Sequence, residues 1–344
     1  MTKYHPLKEL SLTRLREFLR EPEAVFWTYG FPLLLAVGLG VAFRNRPVEK
    51  VYVDIVQNEQ AAGISDVLKR DPEMVVGIHS EQECRDRLRL GKSSIVVVPG
   101  KVITYMLDPS RPESELAQQR VNDVLQRAAG RKDPLKSREQ LVTEPGARYI
   151  DFLVPGLLGM NLMGGGLWGV GFVIVDMRVK KLLKRLVATP MKRTDFLWSI
   201  IGGRLVFMLP ELVVILGAGV LFFGVAVRGN VFSILVLCLI GAISFAGLGL
   251  LVACRAQRIE TVSGLMNLIM LPMWLLSGIF FSPDRFPDAL QPLVQSLPLT
   301  QLNYALRAVI LEGASLPSQF WRLLVVAAWG AIPFFLALRW FRWN

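Results

Sequence analysis

The sequence predicts an α-helical polytopic membrane protein: six transmembrane helices, with a small α/β extracytoplasmic domain inserted between helices 1 and 2. Three observations carry this. Of 344 residues, 52% are hydrophobic and 19% are charged, against about 25% charged in ordinary soluble chains. The apolar residues gather in uncharged stretches of roughly 20, the length that crosses a bilayer core of about 30 Å as a helix. Between the first two stretches lies a segment, 44–148, with 18 Lys and Arg against 16 Asp and Glu, which is a soluble composition.

The first span is expected over 24–43, AVFWTYGFPLLLAVGLGVAF. It reads as an uncleaved anchor and not a signal peptide, because its apolar core is long and Gly40-Val41-Ala42 is a poor cleavage site. The second is expected over 152–175 and contains Gly164-Gly165-Gly166, a run suited to close helix packing. Three more follow over 205–227 (with a start as early as Phe196), 230–253 and 261–281. The last, 320–338, carries Arg322 near its start, where the side chain can snorkel to the interface.

Lysine and arginine in short loops set the orientation. The N-terminal segment holds Lys3, Lys8, Arg14, Arg16 and Arg20, and the connection between spans two and three holds seven, from Arg178 to Arg193. Arg255 and Arg258 follow span four, and Arg339 and Arg342 follow span six. All of these fall on one side if there are six spans with both termini cytoplasmic. The net charge of +11 is therefore topological and gives no reason to expect nucleic acid. Within 1–23, leucines and Phe18 alternate with basic residues as in an interfacial helix.

Segment 44–148 mixes strand-like and helix-like runs. Val51–Val56 and 94–98 are β-branched runs, and 102–107 is a third strand candidate after Pro99-Gly100. Helical periodicity appears over 81–90 and 113–129, and more weakly over 58–69. Catalytic chemistry has few candidates. His5 and His79 are isolated, and Cys84, Cys238 and Cys254 are too scattered for a metal or redox motif. No phosphate loop of the form G-x-x-x-x-G-K-[ST] occurs, and no metal or cofactor is expected on the chain.

Three stretches together resemble the permease subunits of ABC exporters of the ABC-2 family, with the type V exporter fold. They are Asp176-Met-Arg-Val-Lys-Lys-Leu-Leu-Lys-Arg-Leu-Val-Ala-Thr-Pro-Met-Lys-Arg193, Asn267-Leu-Ile-Met-Leu-Pro-Met-Trp-Leu-Leu-Ser-Gly-Ile-Phe-Phe-Ser282, and Leu297-Pro-Leu-Thr300 with Ala305-Leu-Arg-Ala308 and Leu311-Glu-Gly313. The long segment after span one looks like the subgroup with an extracytoplasmic insertion there. The resemblance implies a permease dimer in a bacterial inner membrane, homomeric or heteromeric, docked on a separate cytoplasmic ABC ATPase that holds ATP and Mg. A periplasmic adaptor is a further partner to look for. It implies outward movement of a drug-like, lipid or other amphiphilic substrate. It also implies that 1–23 is an elbow helix and that 282–319, rich in proline, is partly re-entrant.

By the same resemblance, loop 176–195 is the coupling helix, with Arg178, Lys181, Lys184, Arg185, Leu186, Thr189, Pro190 and Arg193 as its ATPase-facing residues. A basic amphipathic helix ended by proline can seat in a groove and move as a rigid body. A topology-setting loop at the lipid headgroups is the plainer alternative. An acid in the middle of a span is costly and marks a candidate functional site. Glu211 lies seven residues after Arg204, close to two helical turns, so it could pair with that residue, line a pathway or lie at a dimer contact. Asn161 and Asn267 are neutral candidates for the same cavity. A competing reading is a mechanotransmitter, in which ATPase motion drives the extracytoplasmic domain against a periplasmic partner.

Overall fold

The computed structural model describes Arg16 and residues 20–43, 50–132, 148–187 and 193–340. These fall into two compact units, residues 1–44 with 143–344, and residues 45–142. Most of the expected interfacial helix over 1–23 lies outside the described residues.

The first unit is a helical bundle. Its helices are α1 (Phe26–Ala42), α5 (Tyr149–Val179), α6 (Leu182–Val187), α7 (Arg193–Phe223), α8 (Val231–Ala253), α9 (Ile259–Leu276), α10 (Gln291–Ser296), α11 (Pro298–Glu312) and α12 (Phe320–Trp340). Five of the described helices, α5, α7, α8, α9 and α12, are long and apolar enough to cross a membrane. The remaining expected span, the first, is the shorter α1, where a π-helical turn, Phe26–Gly30, follows the α-helical turn Pro22–Val25 and the helix continues past Pro32.

Some expected boundaries shift for local reasons. α7 ends at Phe223, four residues before the expected end, because Gly224 takes a left-handed conformation (φ +61°). The chain beyond it lies against α11, where the Arg228 amide donates to the Ile310 carbonyl at 2.8 Å. α8 starts after Asn230, whose side-chain oxygen accepts from the Phe232 amide at 2.8 Å and caps the helix. α9 stops at Leu276, before Ser277 and the left-handed Gly278. Within the expected re-entrant stretch, α11 begins with Pro298 at its first position and ends on left-handed Gly313.

α5 is the hub, packed by α1, α7, α8, α9 and α11. In lipid the apolar effect does not drive helices together, so close packing must, and small residues permit it. A Cβ added to Gly166 would lie 2.4 Å from the Phe245 Cβ, and one on Gly171 would lie 2.6 Å from the Gly249 carbonyl oxygen. Gly166 and Gly171 thus serve the close packing of α5 on α8.

The second unit is α/β. Its order is β1 (Val51–Val56), α2 (Ala61–Leu68), β2 (Met74–His79), α3 (Glu81–Arg89), β3 (Ile95–Val98), β4 (Thr104–Met106) and α4 (Pro112–Ala128). The sheet runs β2-β1-β3-β4, parallel except for the antiparallel β3–β4 pair. Val53, Ile55, Ile95 and Val97 alternate onto one face and form a core with Ala61, Leu68, Ala117 and Val121. Burying each large apolar side chain contributes about 1.5–3 kcal/mol. β2 was not expected from the sequence. It is a sheet edge interrupted by Gly77, so its β-branched run is short.

Candidate functional site

Glu211 lies twelve residues from either end of the apolar stretch Ser199–Phe223 of α7, and it is fully buried. Arg204, two turns earlier on the same helix, is also buried and grips it through two bonds, Nη1 to Oε1 at 2.5 Å and Nη2 to Oε2 at 2.7 Å. The pair spans Pro210, a residue that cannot donate a bond to the preceding turn. It therefore bridges a turn of α7 that lacks one backbone bond. Room for the guanidinium comes from α5, where a Cβ on Gly165 would lie 2.0 Å from the Arg204 Cζ.

Asn161 of α5 completes the arrangement. Its carbonyl accepts from Arg204 Nη2 at 3.3 Å, and its side-chain amide donates to the Thr28 carbonyl in the π-turn of α1 at 2.9 Å. One polar chain thus joins α1, α5 and α7. Asn267 is not part of it. That residue is exposed on α9, on the same outward surface as Leu268, Leu271 and Leu275.

A second buried arginine, Arg307 of α11, was quoted in the sequence signature without a role. Its Nε donates to the Phe152 carbonyl at 3.2 Å, an Nη2 proton goes to the Gly278 carbonyl, and the guanidinium lies 3.5 Å from the Phe152 ring centroid. One turn earlier, Asn303 donates to the Ser277 carbonyl at 2.9 Å. Together they hold the carbonyls at the C-terminal end of α9, where the helix dipole favours a cation. Sequence alone hides this role, because each partner is a backbone carbonyl from a distant part of the chain.

The loop over 176–195 is only partly visible. Arg178 turns inward, donating to the carbonyls of Ala253, Cys254 and Ala256 at the end of α8, and so ties that end to α5. Lys181 is exposed in the turn before α6 and takes a left-handed conformation, φ 58°. On α6, Leu183 is buried in the bundle core while Lys184 and Arg185 are exposed. Thr189 and Pro190 lie outside the described residues, as do the side chains of Leu186 and Arg193. Among the described residues, no group of three or more His, Cys, Asp and Glu could hold a metal ion.

Five membrane-length helices, one of them the glycine-lined hub α5, with buried polar side chains joining helices, define a multi-pass helical membrane protein. The chain belongs to the ABC-2 family of transporter proteins, whose model matches residues 23–339. Among curated proteins it is similar to ABC transporter G family member 20 of Dictyostelium discoideum, at 26% identity over 56% of this chain and 27% of that protein. It is also similar to the inner membrane transport permease YadH of Escherichia coli K12, at 24% identity over 46% of this chain and 61% of that protein. The matched stretch thus spans about a quarter of the first relative and three-fifths of the second.

Proposed function

We propose that the chain is the membrane-spanning permease subunit of an ATP-driven ABC exporter in a bacterial inner membrane. In this reading both termini are cytoplasmic, there are six spans with α1 as the first, and the α/β unit is extracytoplasmic. Two permease chains, identical or homologous, dock on a separate cytoplasmic ATPase and move a drug-like, lipid or other amphiphilic substrate outward. Family membership supports this, as do the names of the two relatives, an ABC transporter and an inner membrane transport permease.

The observation that carries the coupling role is α6. Leu183 anchors it in the bundle while Lys184 and Arg185 stand in solvent, so a force on the basic face reaches the core. Lys181 shares that exposed surface, whereas Arg178 acts as an internal tie. In this conformation both carboxylate oxygens of the buried Glu211 accept from Arg204. We assign it, with Asn161, to bracing α7 beside the pathway, and assign the exposed Asn267 to the pathway wall.

Reversing charge with K184E/R185E tests the reading. The expected result is loss of ATPase co-purification or of substrate-stimulated ATP hydrolysis. Unchanged docking and transport would overturn it. A second reading, mechanotransmission to a periplasmic partner, draws on the α/β unit, whose sheet leaves Tyr52 and Val75 about half exposed beside α3. A stable complex through that unit, with no amphiphile able to stimulate hydrolysis, would favour it.

A further inference from the structure

α8 and α12 run side by side in the same direction, and the contacts between them advance together along both. Ser244 Oγ donates to the Val326 carbonyl at 2.7 Å, and a Cβ on Gly247 would lie 2.5 Å from the Gly330 carbonyl oxygen. Further on, the Arg255 guanidinium lies over the Trp340 ring, 5.8 Å from its centroid. Both helices therefore end on one side of the bundle, with Trp340 as the last residue of α12. An indole at the end of a membrane-length helix belongs at the headgroup level.

The turn from α8 into α9 carries two exposed arginines, Arg255 and Arg258, and Arg339 is exposed beside Trp340. The ordinary task of arginines in such places is to cap the last carbonyls of a helix. For α8 that task is already taken, since Arg178 reaches across from α5 and donates to the carbonyls of Ala253, Cys254 and Ala256. Nor are the three exposed arginines neutralised: among the described residues, none of them forms an ion pair. Of the acids on these elements, Asp176 pairs with Lys180 at 2.8 Å. That leaves Glu260, exposed in the first turn of α9, against four guanidinium groups.

We propose that this turn and the end of α12 bind the phosphate headgroup of an anionic phospholipid, with Arg255 as the principal contact and Trp340 as its platform. The proposal needs only a helical membrane protein and stands apart from the exporter reading. Stacking on an indole holds a guanidinium by its face and leaves the N–H fork at its edge, where it matches two phosphate oxygens. The neighbouring surface suits acyl chains, since Phe335 and Leu338 stand exposed in the last two turns of α12. A free phosphate would make no use of that apolar surface. A zwitterionic headgroup would bring its own cation toward the arginines, so the excess of positive charge selects an anionic lipid.

Native mass spectrometry of the delipidated full-length chain tests this, with phosphatidylglycerol and phosphatidylcholine of matched acyl chains, and inorganic phosphate as competitor. Phosphatidylglycerol should bind several-fold tighter than phosphatidylcholine. Arg255→Gln should weaken it by about fivefold, the contribution of one arginine at a membrane surface. Arg255→Lys, which keeps the charge but not the fork, should recover only part of that loss. Trp340→Leu keeps an apolar contact without the platform and should cost about two- to fivefold; it decides the matter if Arg255→Gln folds poorly. Arg285→Gln, beyond the other end of α9, should change nothing. Equal losses in Arg285→Gln and Arg255→Gln, or no preference between the lipids, would show unselective attraction to headgroups and overturn the proposal. Displacement of the lipid by inorganic phosphate would overturn it in favour of a free anion. Unchanged lipid binding in Arg255→Gln, with loss of a co-purifying ATPase, would overturn it in favour of a protein-docking turn.

Discussion

Glu211 in the helical unit and Asp54 in the α/β unit are both buried acids with an arginine partner, and they differ in where the arginine goes. The Arg204 side chain is about as sealed as Glu211, at 5% and 1% exposure. Asp54 is 2% exposed, but Arg87, which meets it at 2.8 Å from α3, is 31% exposed, and His79 stands 3.9 Å away with a similar opening to solvent. Burial is therefore total for one pair and one-sided for the other. The consequence lies in what happens when the acid is removed: Arg87 can turn to water, and Arg204 cannot.

The largest effect should follow from Glu211→Leu, which leaves a guanidinium stranded between α5 and α7. Breaking a buried pair from one side costs about 3–5 kcal/mol, whereas replacing both partners by apolar groups is often neutral. Arg204→Met with Glu211→Leu should thus restore most of the unfolding midpoint lost in the single variant, measured in detergent or nanodiscs. If the double variant folds and transports normally, the brace across Pro210 has no part in transport. A double variant no more stable than the single one would show that the pair is not the source of the cost.

Arg307 extends the comparison to a buried cation without an acid. Its charge is met by two carbonyls and an aromatic face, a geometry that depends on the planar fork of the guanidinium. Arg307→Lys keeps the charge but cannot serve both carbonyls, and should cost about 2–3 kcal/mol. Equal stability of the lysine variant would mean that charge at the α9 terminus suffices and that the fork is incidental.

The sequence made these three arginines unequally visible. Arg204 and Glu211 were readable because both lie on one apolar helix with a spacing near two turns, so periodicity alone puts them on one face. The glycine run was readable as a packing surface, but its guest was not, since Gly165 receives a side chain from another helix. Asn303 and Arg307 sit in a stretch whose prolines and polar residues keep it from reading as a span, and their partners lie 26 to 155 residues away. Asn161 and Asn267 looked alike in sequence, each one polar residue in an apolar run. Only packing separates them, one inside against α1 and α7 and the other outside on α9. In the α/β unit, β1 and β3 were legible from their β-branched runs, and the edge strand β2 was not.

For the half-open pair the expected cost is smaller. Asp54→Asn retains the shape and one acceptor for Arg87, which can also turn outward, so about 1–2 kcal/mol should be lost. The loss should be confined to the α/β unit, seen as faster hydrogen exchange in β1 and α3 with the helical unit unchanged. A loss as large as that of Glu211→Leu would mean that partial exposure of Arg87 gives no relief, and the contrast between the two pairs would fail.

The smallest effect, and the only gain, concerns Lys181. A non-glycine residue in the left-handed region carries a steric cost that glycine avoids, though glycine gives up chain entropy in return. Lys181→Gly should therefore raise stability by about 0.5–1 kcal/mol. Lys181→Asn also tolerates this conformation and also lacks the charge, so it should be close to neutral. If both variants fold well yet lose ATPase coupling, the ammonium group is what the ATPase requires, and Lys181 belongs with Lys184 and Arg185. If both couple normally, the residue serves only the turn between α5 and α6. On the proposed reading the docking surface is then the exposed face of α6, whose buried side is fixed in the bundle by Leu183.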